Sequence, residues 1–321
     1  MKHPFCPICQ SKTTPFPIKN LPLFRCLSCQ LIFQIPSKKK DFTPNEPFWG
    51  PADPRLSEST YQMKKQTFRI LFKKVLSSTK DSAGGAGGKA PDSAQLSRAL
   101  AEGKPATGPA TNNRFALLDI GTGTGALLDV ALEFGFKAIG LEPDKNFIQK
   151  KDERALKVVN STLEKSDFKP NTFDVITMFD VLEHMRDLNS TLQKISSILK
   201  PGGLLVVSTP DTNSLSFKLM GKNWPHFKRE HIYYFSNKNL SVLLSKYNLN
   251  SLPLPKSRLG GTKGGLKSLT LNYIAGYFTA FPTPILSPIS HFLVHFLPKS
   301  ITQLPINLPN GNMLVIAKKN F

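Results

Sequence analysis

The sequence is poor in cysteine and in acidic residues, and each shortage excludes a class of protein. Only four cysteines occur among 321 residues, too few for a fold held together by disulfides. Residues 1–4 lack the apolar stretch of a secretory signal, so we expect a reducing, cytoplasmic setting. Apolar residues make up 40% of the chain and charged residues 20%, which is enough for a packed core and excludes general disorder.

Acidic residues are scarce above all toward the two ends of the chain. The first 80 residues hold 14 Lys and Arg against 4 Asp and Glu, and residues 212–321 hold 13 against 1. Residues 81–211 are nearly neutral, with 15 against 17, within a net charge of +20. This distribution indicates an anionic partner: a phosphorylated small molecule, nucleic acid or an acidic membrane surface. Charge alone does not choose among them.

Composition divides the chain into four parts. Residues 1–36 contain all the cysteines and predict a small compact module. Residues 37–80 begin as a proline-rich linker and continue into an amphipathic helix between about 57 and 77, whose basic face we expect to be solvated or to face a substrate. Residues 81–113 are rich in Gly, Ala, Ser and Pro without any aromatic residue, which predicts a disordered insertion. Residues 114–321 form the main domain.

In this main domain, apolar strands alternate with helices of period 3.6. The pattern predicts strands at Phe115–Ile120, Lys137–Leu141, Phe173–Phe179, Leu204–Ser208 and Met313–Ala317, and helices at Gly125–Phe134, Asp144–Arg154 and Leu188–Leu199. Such alternation is typical of an α/β fold with a doubly wound, Rossmann-like parallel sheet and crossover helices.

The four cysteines form two C-x-x-C pairs, Cys6 with Cys9 and Cys26 with Cys29, separated by 16 residues. This spacing predicts a zinc ribbon, in which two tight knuckles converge to give Zn²⁺ four thiolate ligands. A redox-active C-x-x-C pair would be flanked by a βαβ pattern, which is missing here. Two C-x-x-C knuckles in a ribbon are unusual for an iron–sulfur site. Because protein fills all four positions, the zinc would be structural and would replace a core that so few residues cannot build.

A glycine-rich turn, LDIGTGTG at 118–125, follows a predicted strand and opens a predicted helix. Glycines let the backbone approach a ligand closely, and Glu142, 21 residues after Gly121, stands where a carboxylate can accept hydrogen bonds from two ribose hydroxyls. The alternative is a turn that merely packs. Nicotinamide dinucleotides and S-adenosylmethionine both bind at such turns, but a dinucleotide fingerprint would place its third glycine at Ala126.

The turn resembles motif I of the class I S-adenosylmethionine-dependent methyltransferases. The resemblance continues in Glu142, in residues 173–184, which look like the fourth-strand motif, and in 199–203, which look like the turn before the fifth strand. It implies the seven-stranded methyltransferase sheet and S-adenosylmethionine as cofactor, with His184 in a structural or proton-transfer role. The cofactor-binding residues that it implies are Asp119, Gly121, Thr122, Gly123, Gly125, Glu142, Ser161, Thr162 and Asp180.

The acceptor side carries a second resemblance. The fourth strand ends in DVLE at 180–183 and lacks the Asn/Asp-Pro-Pro-aromatic tetrad that clamps amino groups of bases, which favours an oxygen or carbon nucleophile. Residues 230–236 resemble the Glu-His-x-x-x-Phe-Ser segment of type 11/12 methyltransferases of the ubiquinone and sugar-modifying kind, several of which carry a four-cysteine ribbon. The resemblance implies His231 as base, with His226 and Tyr233 as further candidates. Alternatively, His231 packs or caps the helix that follows.

Between Lys267 and Lys299 the chain has no charged residue and is rich in Phe, Leu and Ile. Prolines interrupt this stretch, so we expect an apolar helical insertion at about 256–300 with two short helices, Leu269–Phe281 and Ile285–Phe296, more readily than a membrane span. Such helices suit an anionic membrane interface, a lid or a dimer interface.

The sequence therefore predicts a cytoplasmic methyltransferase that acts on an oxygen or carbon atom of a small, anionic, lipid-linked or sugar-linked metabolite, with peripheral contact at the inner membrane face. An RNA methyltransferase is the alternative, because a charge of +20 suits phosphate neutralisation, although the apolar stretch argues against it. A non-catalytic scaffold that binds the same cofactor is a further alternative. The oligomeric state is left open.

Overall fold

The computed structural model describes residues 3–18, 21–35, 61–62, 64–70, 115–148, 156–253, 266–269, 286–302, 306–309 and 311–321. The strands, in chain order, are β1 Thr13–Ile18, β2 Leu21–Cys26, β3 Ile32–Gln34, β4 Ala116–Ile120, β5 Lys137–Leu141, β6 Val158–Val159, β7 Phe173–Phe179, β8 Leu199–Pro210, β9 Tyr233–Tyr234, β10 Leu249–Ser251, β11 Leu266–Leu269, β12 Ile306–Pro309 and β13 Asn312–Lys319. The α-helices are α1 Ala126–Glu133, α2 Lys145–Ile148, α3 Leu188–Ile198, α4 Leu215–Met220, α5 Asn237–Ser245, α6 Leu286–Phe296 and α7 Lys299–Thr302, and short 3₁₀ turns cover Leu182–His184 and Gly221–Asn223.

A seven-stranded sheet in the order β10-β13-β8-β7-β4-β5-β6 forms the centre of the main domain. The five strands from β8 to β6 run parallel, whereas β13 is antiparallel to both β8 and β10. The predicted doubly wound α/β sheet is confirmed. The bounds predicted for β5 and β7 are those observed, while β8 begins five residues before its predicted start.

Side chains of successive strand residues enter two different cores, one on each face of the sheet. In β4, Leu117 packs in the core that contains Leu127 of α1, whereas Leu118 packs in the core that contains Leu192 of α3. This alternation is the period-two pattern of a strand that is buried on both faces. The carboxyl ends of the parallel strands meet at one edge of the sheet, which is where ligands bind in this architecture.

The cysteine module consists of β1, β2 and β3, and its sheet is completed by β9 from the main domain. Ile32 pairs with Tyr234, and Phe33 pairs with Tyr233, in antiparallel register. The sequence did not indicate this pairing, because β9 has only two residues and lies far along the chain from β3. The module and the main domain therefore share one sheet.

The basic face of the predicted amphipathic helix forms ion pairs with α1 at two described positions. Residues 61–62 and 64–70 are helical. Lys65 Nζ lies 3.1 Å from a carboxylate oxygen of Glu133, and Arg69 donates two hydrogen bonds of 2.7 Å to the same carboxylate. Arg69 is 40% exposed, so this position is solvated as well as paired, and the acidic partner on α1 is one that the helical periodicity does not reveal.

The insertion predicted at 81–113 and most of the linker before it lie outside the described residues, as does the predicted helix Asp144–Arg154 beyond Ile148. The apolar stretch is helical in part. Leu269, predicted to begin a helix, is the last residue of β11, which pairs with β12, while α6 confirms the second helix one residue after its predicted start. Among the described residues, no helix is both long and apolar enough to cross a membrane.

Candidate functional site

The turn between β4 and α1 has three glycines in left-handed conformations. Gly121, Gly123 and Gly125 have φ values of +70°, +49° and +78°, which side chains rarely tolerate. A Cβ at Gly121 would collide with the side chain of Val181. Among the described residues, a Cβ at Gly123 would meet only the Gly121 carbonyl oxygen, at 4.0 Å. The turn is thus packed on one side, and the space beside Gly123 is open.

Glu142 fixes the other wall of this open space. It follows β5 and is only 7% exposed, and its Oε2 accepts a hydrogen bond of 2.7 Å from the Gly123 amide. Its Oε1 accepts a hydrogen bond of 3.1 Å from the Asp144 amide. These two main-chain bonds fix the orientation of the Glu142 carboxylate, whose oxygens can only accept hydrogen bonds.

Two aspartates flank the turn on the neighbouring strands. Asp119, at the end of β4, is buried, and Thr177 of β7 donates a hydrogen bond of 2.7 Å to its carboxylate. Asp180, directly after β7, has a left-handed backbone with φ of +56°, and its carboxylate accepts a hydrogen bond from the Asn312 amide group. Sequence reasoning missed Thr177 and Asn312, because Thr177 reaches Asp119 from the adjacent β7 and Asn312 reaches Asp180 from β13, two strands away in the sheet.

Ser161 and Thr162 follow β6 at the same edge of the sheet and are partly buried. The Ser161 hydroxyl donates to the Thr162 carbonyl. The Asn160 side-chain amide donates to the carbonyls of Glu142 and Pro143, at 2.9 and 3.0 Å. Asn160 therefore joins the loops after β5 and β6 and keeps Ser161 and Thr162 close to Glu142.

A buried cluster of Glu183, His184 and His231 lies beside the turn, because Val181, which contacts Gly121, leads directly into the 3₁₀ turn that carries two of these residues. The ligand-type atoms of the three side chains all lie within 4.8 Å of one another. The His184 and His231 rings meet edge to face with centroids 4.7 Å apart, and Thr209 donates a hydrogen bond of 2.9 Å to Glu183. Among the described residues, Glu183 Oε1 and His231 Nδ1 have no hydrogen-bond partner.

Burial sets the protonation of this cluster. It lowers the pKa of His231 to about 2, with further lowering by His184 and Lys228. It also lowers the pKa of His184. Burial, aided by the nearby charge of Asp180, raises the pKa of Glu183 to about 8. At neutral pH both imidazoles are therefore neutral, and the Glu183 carboxyl group carries a proton.

The two further catalytic candidates differ in their surroundings. His226 stacks on the buried Trp224 with ring centroids 4.7 Å apart, and a hydrogen bond with the His226 main chain partly opposes the lowering of the His231 pKa. The Tyr233 hydroxyl donates to the Arg186 carbonyl at 3.3 Å, and burial raises the pKa of Tyr233 to about 12. The structure thus brings His226 next to His231, while Tyr233 has its hydroxyl engaged by a carbonyl.

The four cysteine sulfurs converge at one end of the small module. The Sγ atoms of Cys6 and Cys29 are 3.6 Å apart, those of Cys9 and Cys26 are 3.4 Å apart, and all four lie within 4.8 Å of one another. In a tetrahedron with metal–sulfur bonds of about 2.3 Å, the sulfurs are about 3.8 Å apart. The cluster therefore has the donor set and nearly the spacing of a four-thiolate zinc site.

Comparison with known proteins gives one family match and several partial relatives. A family model described as a methyltransferase domain matches residues 93–254. The chain is 33% identical over 109 residues to a ubiquinone biosynthesis O-methyltransferase of Bradyrhizobium sp. strain ORS 278, covering 32% of this chain and 43% of that protein. A protein of the same name from Nitrobacter winogradskyi is 35% identical over 109 residues, with 32% and 41% covered. The matched segment thus spans less than half the length of these relatives.

Among solved structures, the chain is similar to the YcgJ protein from Bacillus subtilis. The two share 16% sequence identity with a TM-score of 0.45, and the match covers 66% of this chain and 94% of that chain.

Proposed function

From the premise that the chain belongs to the methyltransferase domain family, we propose that it transfers the methyl group of S-adenosylmethionine to an oxygen or carbon atom of a small acceptor. The observation that supports this most directly is the open space beside Gly123, bordered by the oriented carboxylate of Glu142. A glycine turn and a carboxylate at the tip of the next strand are the two parts that an adenosyl ligand requires.

The residues at this edge fit S-adenosylmethionine in further respects. The Thr122 hydroxyl is buried and has no hydrogen-bond partner among the described residues, so a polar ligand would satisfy it. We propose that Glu142 accepts the ribose hydroxyls and that Asp119, with the turn glycines, receives the methionine end. Ser161 and Thr162 would border the adenine, and Asp180 would close the pocket. When bound, S-adenosylmethionine supplies a methyl group on a positively charged sulfur.

We propose His231 as the base that removes the acceptor proton. Its ring is neutral at pH 7, so a lone pair is available to take that proton. A pKa of about 2 makes His231 a weak base as it stands. An anionic acceptor beside the ring would raise this pKa, because an opposite charge favours the imidazolium form. The base is thus expected to act only once the acceptor is in place, with His226 as the nearest further candidate.

We further propose an acceptor that is small, with a hydroxyl group on a lipid-linked or sugar-linked skeleton, since the relatives are named O-methyltransferases. Helix α6 exposes Ile289, Phe292 and Phe296 and has no charged residue. Such a face supports peripheral contact with an anionic membrane, where the many cations of the chain would add attraction. RNA is the second candidate, because the net charge of +20 favours a polyphosphate.

The test is to incubate the protein and methyl-labelled S-adenosylmethionine with lipid, nucleotide-sugar and RNA fractions of the source cell. We expect label in the lipid or sugar fraction, with a rate that rises when anionic liposomes are added. Label in RNA, lost steeply as salt is raised, would support the second candidate. Binding of S-adenosylmethionine without any labelled fraction would support a non-catalytic scaffold.

We also propose that Cys6, Cys9, Cys26 and Cys29 bind one structural Zn²⁺. The convergence of their sulfurs supports this, and four thiolates leave no position open for water. The purified protein should contain about one equivalent of zinc, and each Cys→Ser variant should lose it. A protein that is folded and free of metal would contradict this proposal.

A further inference from the structure

The segment that carries His231 has no regular secondary structure of its own. Residues 227–232 form neither helix nor strand between the 3₁₀ turn at Gly221–Asn223 and β9. On one side, the Ile232 amide donates to the Glu183 carbonyl at 2.8 Å. The Lys228 carbonyl accepts a hydrogen bond of 3.0 Å from the Tyr234 hydroxyl, and the Glu230 carbonyl lies 2.9 Å from His184 Nδ1. The carbonyls of Arg229, His231 and Ile232 need other partners.

Gln34, at the end of β3 in the cysteine module, supplies those partners. Its side-chain amide donates to the carbonyl of Arg229 at 2.6 Å and to the carbonyl of His231 at 2.9 Å. Its main-chain amide donates to the Ile232 carbonyl at 2.9 Å. One residue thus fixes three carbonyls, one of which belongs to His231 and the others to residues within two positions of it.

The module that carries Gln34 is itself attached to the main domain at both cysteine knuckles. The Asn239 side chain donates to the Cys29 carbonyl at 3.3 Å, and Lys246 donates to the Ile8 carbonyl. Both donors belong to α5 or follow it directly. The pairing of β3 with β9 adds a third attachment, immediately after the His231 segment. Gln34 is therefore held in place relative to α5 and β9.

We infer that Gln34 is a positioning residue for His231, and that the cysteine module is a wall of the acceptor site. The inference rests on the proposed function only for the role of His231 as the base. That Gln34 holds His231 in position is a claim about the structure and can be tested without any methylation assay. Removing the side-chain donor of Gln34 frees the carbonyls of Arg229 and His231, while the main-chain bond to Ile232 remains. The ring should then lose its fixed place beside His184 and Glu183, while the cofactor turn, built from other strands, is unaffected.

The test compares Gln34→Met, which keeps the side-chain length but removes both donors, with Gln34→Glu, which keeps the shape but sets a carboxylate against two carbonyls. Gln30→Met is the matched control, because Gln30 belongs to the same module but donates only to the nearby Leu27 carbonyl. Gln30 also has a left-handed backbone, so any general loosening of the module should appear there too.

The readouts need no acceptor: the ¹⁵N signals of the His231 ring, hydrogen exchange of the peptide that contains 229–232, zinc content, and affinity for S-adenosylmethionine alone. We expect Gln34→Met to shift the His231 signals and to speed exchange about tenfold, and Gln34→Glu to do so more strongly. Zinc content and cofactor affinity should stay within about twofold of the wild type. The methylation rate, on whichever cell fraction takes up label, should fall about tenfold or more.

If both Gln34 variants match Gln30→Met in ring signals and exchange, the positioning role is overturned, whatever the activity. If the wild-type protein methylates nothing but the variants still displace the His231 ring, the positioning role stands and the proposed function fails. If Gln34→Met does not fold, the Gln34→Glu variant decides whether Gln34 positions His231, because glutamate has the size and shape of glutamine.

Discussion

The two sides that we propose for the site, the cofactor side and the acceptor side, are built in different ways. The cofactor side is a contiguous turn and the tip of the next strand, and its carboxylates are held by main-chain amides and by a threonine on the adjacent strand. The acceptor side gathers Glu183 from the 3₁₀ turn after β7, His231 from an irregular segment and Gln34 from the cysteine module. Among the described residues, each side has buried polar atoms without a partner: Thr122 on the first, and Glu183 and His231 on the second. The first arrangement can be recognised from a sequence motif. The second can be recognised only in the folded structure, because its residues come from distant parts of the chain.

The largest effect that we expect comes from Gly123→Arg. The substitution forces a side chain onto a backbone with φ of +49° and fills the open space, so affinity for S-adenosylmethionine should fall at least a thousandfold in calorimetry. Gly135→Arg is the matched control, since Gly135 has φ of +79° but nothing within 4 Å of its Cβ position at the end of α1. Equal and small losses in both variants would remove the cofactor assignment.

Next in size is His231→Asn, which we expect to lower the methylation rate about a hundredfold, in line with the removal of a general base. Cofactor affinity should be unchanged, because Glu142, rather than His231, accepts the hydrogen bond from the Gly123 amide of the turn. His226→Asn should cost less, since its ring packs on Trp224. Full activity in His231→Asn would refute the base role and leave the cofactor side untouched.

Glu142→Gln should weaken S-adenosylmethionine binding by about tenfold to a hundredfold. The amide keeps the shape, but it replaces one acceptor oxygen with a donor, and the charged acceptor for the ribose hydroxyls is lost. Glu164→Gln, at an exposed position beyond β6, is the control and should bind like the wild type. Calorimetry of both variants measures how much the Glu142 carboxylate contributes to the binding of S-adenosylmethionine.

Much of the cofactor side could be predicted from the sequence. The bounds of β5 and β7 follow from apolar runs of strand length, and the left-handed glycines follow from the residue type. The bond from Thr177 to Asp119 could not be predicted, because strand register brings together residues that are far apart in the chain. The role of Gln34 could not be predicted, because nothing in the sequence distinguishes a glutamine at the end of a short strand. Its contacts with the His231 segment arise only because β9 pairs with β3.

The acceptor side should also make stability depend on pH through Glu183. Its pKa is raised in the folded state, so the folded protein binds an extra proton between the ordinary value and about 8, and stability falls as pH rises through this range. Burial lowers the His231 pKa, which adds the opposite slope below about pH 6.5. The Glu183 effect is therefore measured between pH 6.5 and 8 as the difference between the wild type and Glu183→Gln, in which the other titrating groups, the cysteine thiols included, cancel.

In urea unfolding, Glu183→Gln should therefore be less sensitive to pH in that window, by on the order of 1 kcal/mol. Glu164→Gln is again the control, and it should lose stability with pH as the wild type does. If the unfolding free energies of the wild type and Glu183→Gln change in parallel from pH 6.5 to 8, Glu183 is ionised throughout, which would contradict the protonation that we infer for the buried cluster.

We expect the smallest effect, a small loss of stability, from breaking the ion pair between Arg69 and Glu133 at the end of α1. Two hydrogen bonds of 2.7 Å make this a bidentate pair, but both side chains are about 40% exposed, so water and salt weaken it. Arg69→Gln should lower the free energy of unfolding by about 0.5 kcal/mol at low salt, a difference that shrinks at 1 M salt. Lys169→Gln, at an exposed position, should change it less. A loss of several kcal/mol in Arg69→Gln would mean that the helical residues 61–62 and 64–70 contribute to the core of the main domain and do not merely pack on its surface.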